Sequence, residues 1–327
     1  MMRWLRFSLS ALLPFLLPAS AAFGQMQSDP QALQWLQRMY SATQKLSFDG
    51  TFVYQHGQHM EFSRITRHVD ASGPQEKLEP LGGPPREIIR SRGQVTCYLP
   101  ESLTVKIDKQ VDDRSFPAIL PDQFKDLTEN YVIRKGEVER VAGFDCQVIV
   151  LTPKDRMRYG HRLWADIHTG MLIKAKTMDE RQDLVETFAF TQLQIGGVDR
   201  EKVKSRFAAK GKQWRVEDSG ATDAHLNESG WVLRSHPPGF RKIGEMRRNI
   251  GGATGVGHIV LSDGLAALSI FVEPVANRRV ESAGLVRHGA INVFTRHLGN
   301  HWITVVGETP AESVKYVANV MEYRKPN

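Results

Sequence analysis

The residue types best able to do chemistry in this sequence are two histidine pairs, two cysteines and one glycine cluster. His56 and His59 bracket Gly57-Gln58, and His297 and His301 bracket Gly299-Asn300. In two-residue hairpin turns, His56 would pair directly with His59, while His297 would face Trp302 and Leu298 would face His301. Only the first pair could share an ion. No third ligand is evident near it, so ordinary exposed turn residues are the reading and no metal site is expected. The cluster Gly251-Gly-Ala-Thr-Gly-Val-Gly257 lacks the Lys-Ser/Thr of a phosphate loop and runs G-x-x-G-x-G rather than in the dinucleotide order. A flexible loop between two strands is expected there. A G-x-S-x-G elbow, an H-E-x-x-H helix and a Cys with a credible His partner are all missing, so an enzyme is not expected and no cofactor is implied.

Cys97 and Cys146 lie in strand-like runs, Gln94–Leu99 and Phe144–Val150. In an oxidising compartment a bridge between them would close about 49 residues and contribute on the order of 4 kcal/mol in the chain-entropy model. Two buried free thiols are the alternative; the disulfide is the expectation.

That compartment follows from the first residues. Arg3 and Arg6 precede an apolar core, Leu12, Leu13, Phe15, Leu16 and Leu17, and the small residues Ala19, Ser20, Ala21, Ala22 and Gly24 follow. This reads as a cleaved secretory signal over residues 1–24 rather than a membrane span. No later run is long and apolar enough to span a bilayer. The mature chain of roughly 300 residues is long enough for two domains. Its charge is uneven: residues 25–196 carry a net −1, residues 197–227 +2 and residues 228–327 +4. In an exported protein such basic character points to acidic protein segments or lipid headgroups, not nucleic acid. Arg241, Lys242, Arg247, Arg248, Arg278 and Arg279 are the candidates for an acidic partner.

The elements that position these residues are mainly β. Asp29-Pro30 caps a helix whose buried stripe is Leu33, Leu36, Met39 and Tyr40. Strands are predicted at Phe48–Gln55, Met60–Arg67, Arg86–Arg92, Gln94–Leu99, Leu103–Asp108, Tyr131–Val141, Phe144–Leu151, Arg162–Ile167, Met171–Thr177 and Leu184–Ile195, with a short helix at Pro121–Asn130 presenting Phe124 and Leu127. In the first hairpin Phe52, Tyr54 and Ile65 share one face, and Val53, Met60 and Phe62 the other. Apolar groups on both faces suit a curved sheet wrapped on helices, with room for a lined cavity. Phe52, Tyr54, Phe62, Ile89, Trp164, Phe188 and Phe190 are its candidate wall. An exposed linker is expected around Asp218–Asp223, so the division is 25–210, a linker 211–228, and a smaller α+β domain 229–327. In that last domain, antiparallel strands precede a helix opened by a Thr309-Pro-Ala-Glu312 capping box, with Val314, Val317, Ala318 and Met321 facing inward.

Several segments together resemble the MucB/RseB proteins: Leu46–Tyr54, Arg64–His68, Leu163–Lys176, Pro237–Phe240, Gly251–Gly257 and Ile303–Glu308. The resemblance covers nearly the whole mature chain. It implies a periplasmic negative regulator of envelope stress whose N-terminal domain is similar to the LolA/LolB lipoprotein carriers, a curved antiparallel half-barrel closed by helices over an apolar cavity. It further implies binding to the periplasmic part of a transmembrane anti-sigma factor of the MucA/RseA type, which shields that factor from regulated proteolysis. Release would be by lipid, lipopolysaccharide fragments or acylated lipoprotein; a homo-oligomer is compatible. A lipid or lipoprotein carrier is the competing function. An envelope hydrolase ranks last, because no nucleophile–base set is present.

Overall fold

The computed structural model describes residues 28–109, 125–208, 214–275 and 283–325. The signal segment, Phe124, Arg278 and Arg279 lie outside the described residues. Helix α1 (Pro30–Lys45) opens as its sequence dictates: the Asp29 side chain accepts from the Gln31 amide at 2.8 Å, with Pro30 in the first turn. Its buried side is Ala32, Leu36, Met39 and Ala42, with Leu33 and Tyr40 only partly covered.

Among the described residues eleven strands and one short α-helix follow: β1 (Phe48–His56), β2 (His59–Asp70), β3 (Gly73–Pro80), β4 (Glu87–Ser91), β5 (Gln94–Leu99), β6 (Thr104–Lys109), α2 (Lys125–Asn130), β7 (Tyr131–Val141), β8 (Phe144–Pro153), β9 (Gly160–Asp166), β10 (Leu172–Met178) and β11 (Leu184–Ile195). The rest comprises β12 (Arg215–Asp218), β13 (Thr222–Asp223), β14 (Trp231–Leu233), β15 (Arg241–Ile250), β16 (Ala253–Ser262), β17 (Ala267–Pro274), β18 (Gly284–His288), β19 (Ile291–Leu298), β20 (His301–Gly307), α3 (Ala311–Val320) and β21 (Met321–Tyr323).

The first sheet has twelve strands in the order β12-β6-β5-β4-β3-β2-β1-β11-β10-β9-β8-β7. It is antiparallel except where β12 runs parallel to β6. The β1–β2 hairpin turns at Gly57-Gln58, with Gly57 at φ +57° and His56 opposite His59. Helix α1 lies over β7 and β8 and seals a core of Leu36, Met39, Tyr131, Ile133, Ile149, Leu151 and Leu163. A further core on this sheet gathers Phe48, Ile65, Val148, Trp164, Ile173, Phe188 and Phe190.

Strand β3 is absent from the sequence-based expectation because Gly73-Pro-Gln-Glu-Lys-Leu-Glu-Pro80 reads as polar coil. Its buried Glu76 is held from both flanking strands, by Arg67 Nη1 at 3.1 Å and Arg90 Nη1 at 2.5 Å. Paired this way, a carboxylate is tolerated in the middle of a sheet.

The second sheet has seven strands, β13-β15-β16-β17-β20-β19-β18, and β14 pairs with β21 beside it. Helix α3 packs on β19 and β20 through Val314, Val317 and Ala318, and Met321 is buried just beyond its end, as the inward stripe requires. The capping box does not form: Pro310 is the N-cap residue, and the buried Thr309 hydroxyl finds no partner among the described residues. Part of the expected linker is built into the sheets. Strand β12 extends the first sheet and β13 the second, so the chain crosses between them over residues 219–221.

Candidate functional site

Alternate residues on neighbouring strands of the first sheet line a cavity of about 330 Å³. Its apolar wall is Phe52, Ile65, Leu78, Ile88, Ala175 and Phe188, and its polar groups include Tyr54, Glu61, Arg86, Arg90, His161 and Glu186. Strands β4 and β9 both contribute, although five strands separate them. In a flat sheet, spaced at about 4.8 Å per strand, they would lie about 29 Å apart. The sheet therefore curls around the cavity, as the two-sided apolar pattern led us to expect. Leu265, in the turn between β16 and β17, and Glu308, just after β20, reach in from the second domain and close one side.

Three of the seven candidate wall residues, Phe52, Tyr54 and Phe188, line this cavity. Phe190 supports it from behind, 6.2 Å from Phe52 and 5.3 Å from Phe188 between ring centroids. The other three do not belong to the wall. Phe62 falls on the outer face of β2 and is 44% exposed. Ile89 is one residue out of phase with Ile88, which takes the wall position. Trp164 alternates with Leu163 and Ala165, which pack in the core under α1, so it leaves β9 on the other side. There its Nε1 donates to Glu139 at 2.8 Å, and Lys174 stacks 4.8 Å from its ring.

The polar end of the cavity meets the second domain. The Tyr54 hydroxyl donates to Glu186, which also accepts from Thr177 Oγ1 at 3.2 Å and from the Ala290 amide at 3.3 Å. Burial, reinforced by the Glu186 carboxylate, holds the Tyr54 phenol far above its ordinary range. Burial also raises the Glu308 carboxyl, with Glu186 adding to it, and lowers the His161 imidazole to about 4. Tyr54 and His161 are thereby held neutral, which suits an apolar guest with a polar head at the rim.

A buried polar network that the sequence did not reveal joins the two domains. Arg158, with its side chain fully buried, donates to Asp263 Oδ2 at 2.5 Å, to Asp155 at 3.0 and 3.1 Å, and to the Pro238 carbonyl. Beside it, Asn292 Nδ2 donates to the Tyr159 hydroxyl at 3.0 Å, and Ser313 Oγ donates to the Met157 carbonyl at 2.6 Å. Arg158 and Asp263 are 105 residues apart, so no local pattern could announce the pair.

The candidate partner-binding cations have mixed fates. Arg241, Lys242, Arg247 and Arg248 all lie on β15. Lys242 pairs with Glu245 at 2.5 Å, and Arg247 donates to the Gly255 carbonyl at 3.1 Å and to Ser229 Oγ at 2.7 Å. Arg248 is mostly buried and donates to Asp108 of the first sheet, so it serves the domain contact.

Three other expectations are corrected. Cys97 and Cys146 are free thiols, on β5 and β8 with seven strands between them in the sheet order. Burial pushes both thiols up, Cys146 to about 12. The glycine cluster is mostly strand: Gly251 and Gly252 form the turn, while Gly255 and Gly257 lie in β16. A Cβ at Gly257 would approach the Leu226 side chain to 2.9 Å, so a larger residue there would have to displace it. Finally, His56 is not an exposed turn residue but is only 7% exposed, covered by the β18–β19 turn. Two further donors stand close to it, Glu61 and His288. His297 and His301 do diverge as expected, meeting Trp302 and Trp231 respectively edge to face.

The two-sheet architecture has known counterparts. The model of the MucB/RseB N-terminal domain matches residues 31–207, and that of the MucB/RseB C-terminal domain matches residues 225–322. The sigma factor AlgU regulatory protein MucB of Pseudomonas aeruginosa is 30% identical over 293 residues, covering 88% of this chain and 89% of the relative. The sigma-E factor regulatory protein RseB of Salmonella typhimurium is 29% identical over 322 residues, covering 94% and 96%. Among solved structures, the Pseudomonas aeruginosa MucA/MucB complex aligns with a TM-score of 0.68 at 25% identity, covering 90% of this chain and 99% of that one. A crystal structure of MucB alone aligns at 0.66 with 26% identity and the same coverage. With both of its domains matched in order, the chain belongs to the MucB/RseB family.

Proposed function

We propose that this protein is a periplasmic regulator that binds the periplasmic domain of a transmembrane anti-sigma factor of the MucA/RseA type. By occupying that domain it shields it from regulated proteolysis, and a lipid or lipopolysaccharide signal reverses the binding. One observation carries the reading: 90% of this chain aligns with 99% of a chain from the MucA/MucB complex. The relatives are named as sigma-factor regulatory proteins, which also favours regulation over catalysis.

The cavity supports the second half of the proposal. Apolar side chains on a curved sheet, with carboxyl, phenol and imidazole groups at one end, fit an acyl chain and its polar head. Each buried methylene contributes roughly 0.8 kcal/mol before ordering costs. Because Leu265 and Glu308 belong to the second domain, a ligand seated there touches both domains at once. It releases the partner only if it prefers the partner-free arrangement.

The same cavity favours a second reading, a lipid or lipoprotein carrier. Capture from an envelope extract with the mature chain separates the two. Recovery of an anti-sigma factor supports the regulator, and a spread of lipoproteins supports the carrier. On β15, Arg241, Lys242 and Arg247 remain the proposed surface for an acidic partner segment.

A further inference from the structure

We propose that His56, Glu61 and His288 form a zinc-class divalent metal site that bridges the two domains. Each offers one donor atom, and the three donors all lie within 4.8 Å of one another. His56 ends β1, Glu61 lies on the adjacent β2, and His288 ends β18 of the second sheet. The two imidazole rings meet edge to face, with centroids 4.3 Å apart. Among the described residues no other trio of His, Cys, Asp or Glu brings its donors this close.

An independent observation points to a ligand. His56 is more than nine-tenths buried, yet its Nε2 has no hydrogen-bond partner among the described residues. A buried ring nitrogen left unpaired is disfavoured, and coordination of a metal would satisfy it. The close approach is also built into the chain. Gly289 follows His288 at φ +59°, and a Cβ there would come within 2.9 Å of the Tyr54 hydroxyl and 3.1 Å of His56 Cβ. Only glycine lets the β18–β19 turn press its histidine against β1.

The donor set then selects the class of ion. Two imidazoles and one carboxylate suit a borderline cation such as zinc, with a fourth position left for water. At zinc–ligand distances of about 2.0–2.1 Å, tetrahedral donors sit about 3.3 Å apart. The present spacing needs closing by up to about 1.5 Å. Glu61 and His288 are both exposed, so side-chain rotation supplies this without moving either sheet. The bound ion would fasten the tip of the first hairpin to the second domain. Glu61 also lines the cavity, so the ion would fix part of its rim.

The test is a zinc titration of the metal-stripped mature chain by calorimetry, paired with thermal unfolding. Wild type is expected to bind one zinc per chain and to melt at higher temperature with zinc, since a ligand held only by the folded state stabilises it. His288→Ala and Glu61→Gln change exposed side chains, so the metal-free melting temperature stays as in wild type. Each is expected to weaken zinc binding at least tenfold and to remove the thermal shift. Absence of stoichiometric zinc binding in wild type would overturn the site. So would zinc binding that survives both substitutions, because the ion would then be held elsewhere.

Discussion

Replacing Arg158 tests whether the two domains are fastened by a buried ion pair. In Arg158→Met the alkyl stem remains between Tyr131 and Phe240, whose rings lie 5.6 and 5.3 Å from the guanidinium carbon. What disappears is the charge that faces Asp263, whose own side chain is fully buried. Asp263 Oδ1 keeps the Leu265 and Ala266 amides at 2.9 and 2.8 Å, but Oδ2 loses its cation. Asp155 is 28% exposed and can turn to water, so most of the cost falls on Asp263. Stranding a buried carboxylate in this way costs about 3–5 kcal/mol. The companion change Asp263→Asn keeps the Oδ1 acceptor and removes the stranded charge. The double variant should therefore recover more than half of the loss, giving a coupling of at least about 2 kcal/mol. Urea unfolding of the four proteins, followed by tryptophan fluorescence, measures the cycle. Loss below about 1 kcal/mol in Arg158→Met, or additive single effects, would refute the claim that this pair holds the interface.

Three further expectations follow from particular residues. Ile88→Trp fills the cavity from a half-buried wall position; displacing about two ligand methylenes costs about 1.6 kcal/mol, or roughly tenfold in affinity for an acylated peptide, with little change in stability. A fluorescent acyl probe reads this, and unchanged affinity would place the ligand elsewhere. His258 is buried against Phe271, and burial, aided by the Arg248 charge, lowers its imidazole to about 4. Its folded pKa is depressed, so the unfolded chain binds a proton first as pH falls from about 6.5 towards 4, and stability drops by up to about 3 kcal/mol. His258→Phe should remove that portion of the acid destabilisation in denaturant curves at pH 7 and 4.5; parallel losses in both proteins would contradict it. Arg241→Glu with Lys242→Glu should slow association with an acidic partner at low salt and much less at high salt. Equal rates at both salt levels would exclude this end of β15.

Where one period governs a segment, the sequence was a reliable guide. Tyr131–Val141 and Leu184–Ile195 form strands with the predicted ends, and Asp29-Pro30 caps α1 as its chemistry requires. Strict alternation also placed Phe52 and Tyr54 together on the cavity face. The same rule, applied to side-chain type without phase, picked Ile89 and Trp164, whose neighbours in sequence face inward instead. Long-range pairing was illegible. Glu76 in β3 looked like coil until Arg67 and Arg90 were seen to bracket it. Arg158 with Asp263, and His56 with His288, are set by how one domain docks on the other, which local spacing does not encode. Thr309 shows the opposite failure: a well-formed capping motif gave way because tertiary packing buried its hydroxyl and started the helix later.

The most direct test of the central claim is to assemble the mature chain with the periplasmic domain of a MucA/RseA-type anti-sigma factor, then titrate in lipopolysaccharide fragments while following the complex by fluorescence anisotropy. The account predicts a stoichiometric complex that protects the anti-sigma domain from protease, dissociates as the acylated ligand is added, and resists dissociation when Ile88→Trp fills the cavity. Failure of the two proteins to associate would contradict the regulatory assignment outright, and a complex that binds the acylated ligand without releasing its partner would contradict the switch.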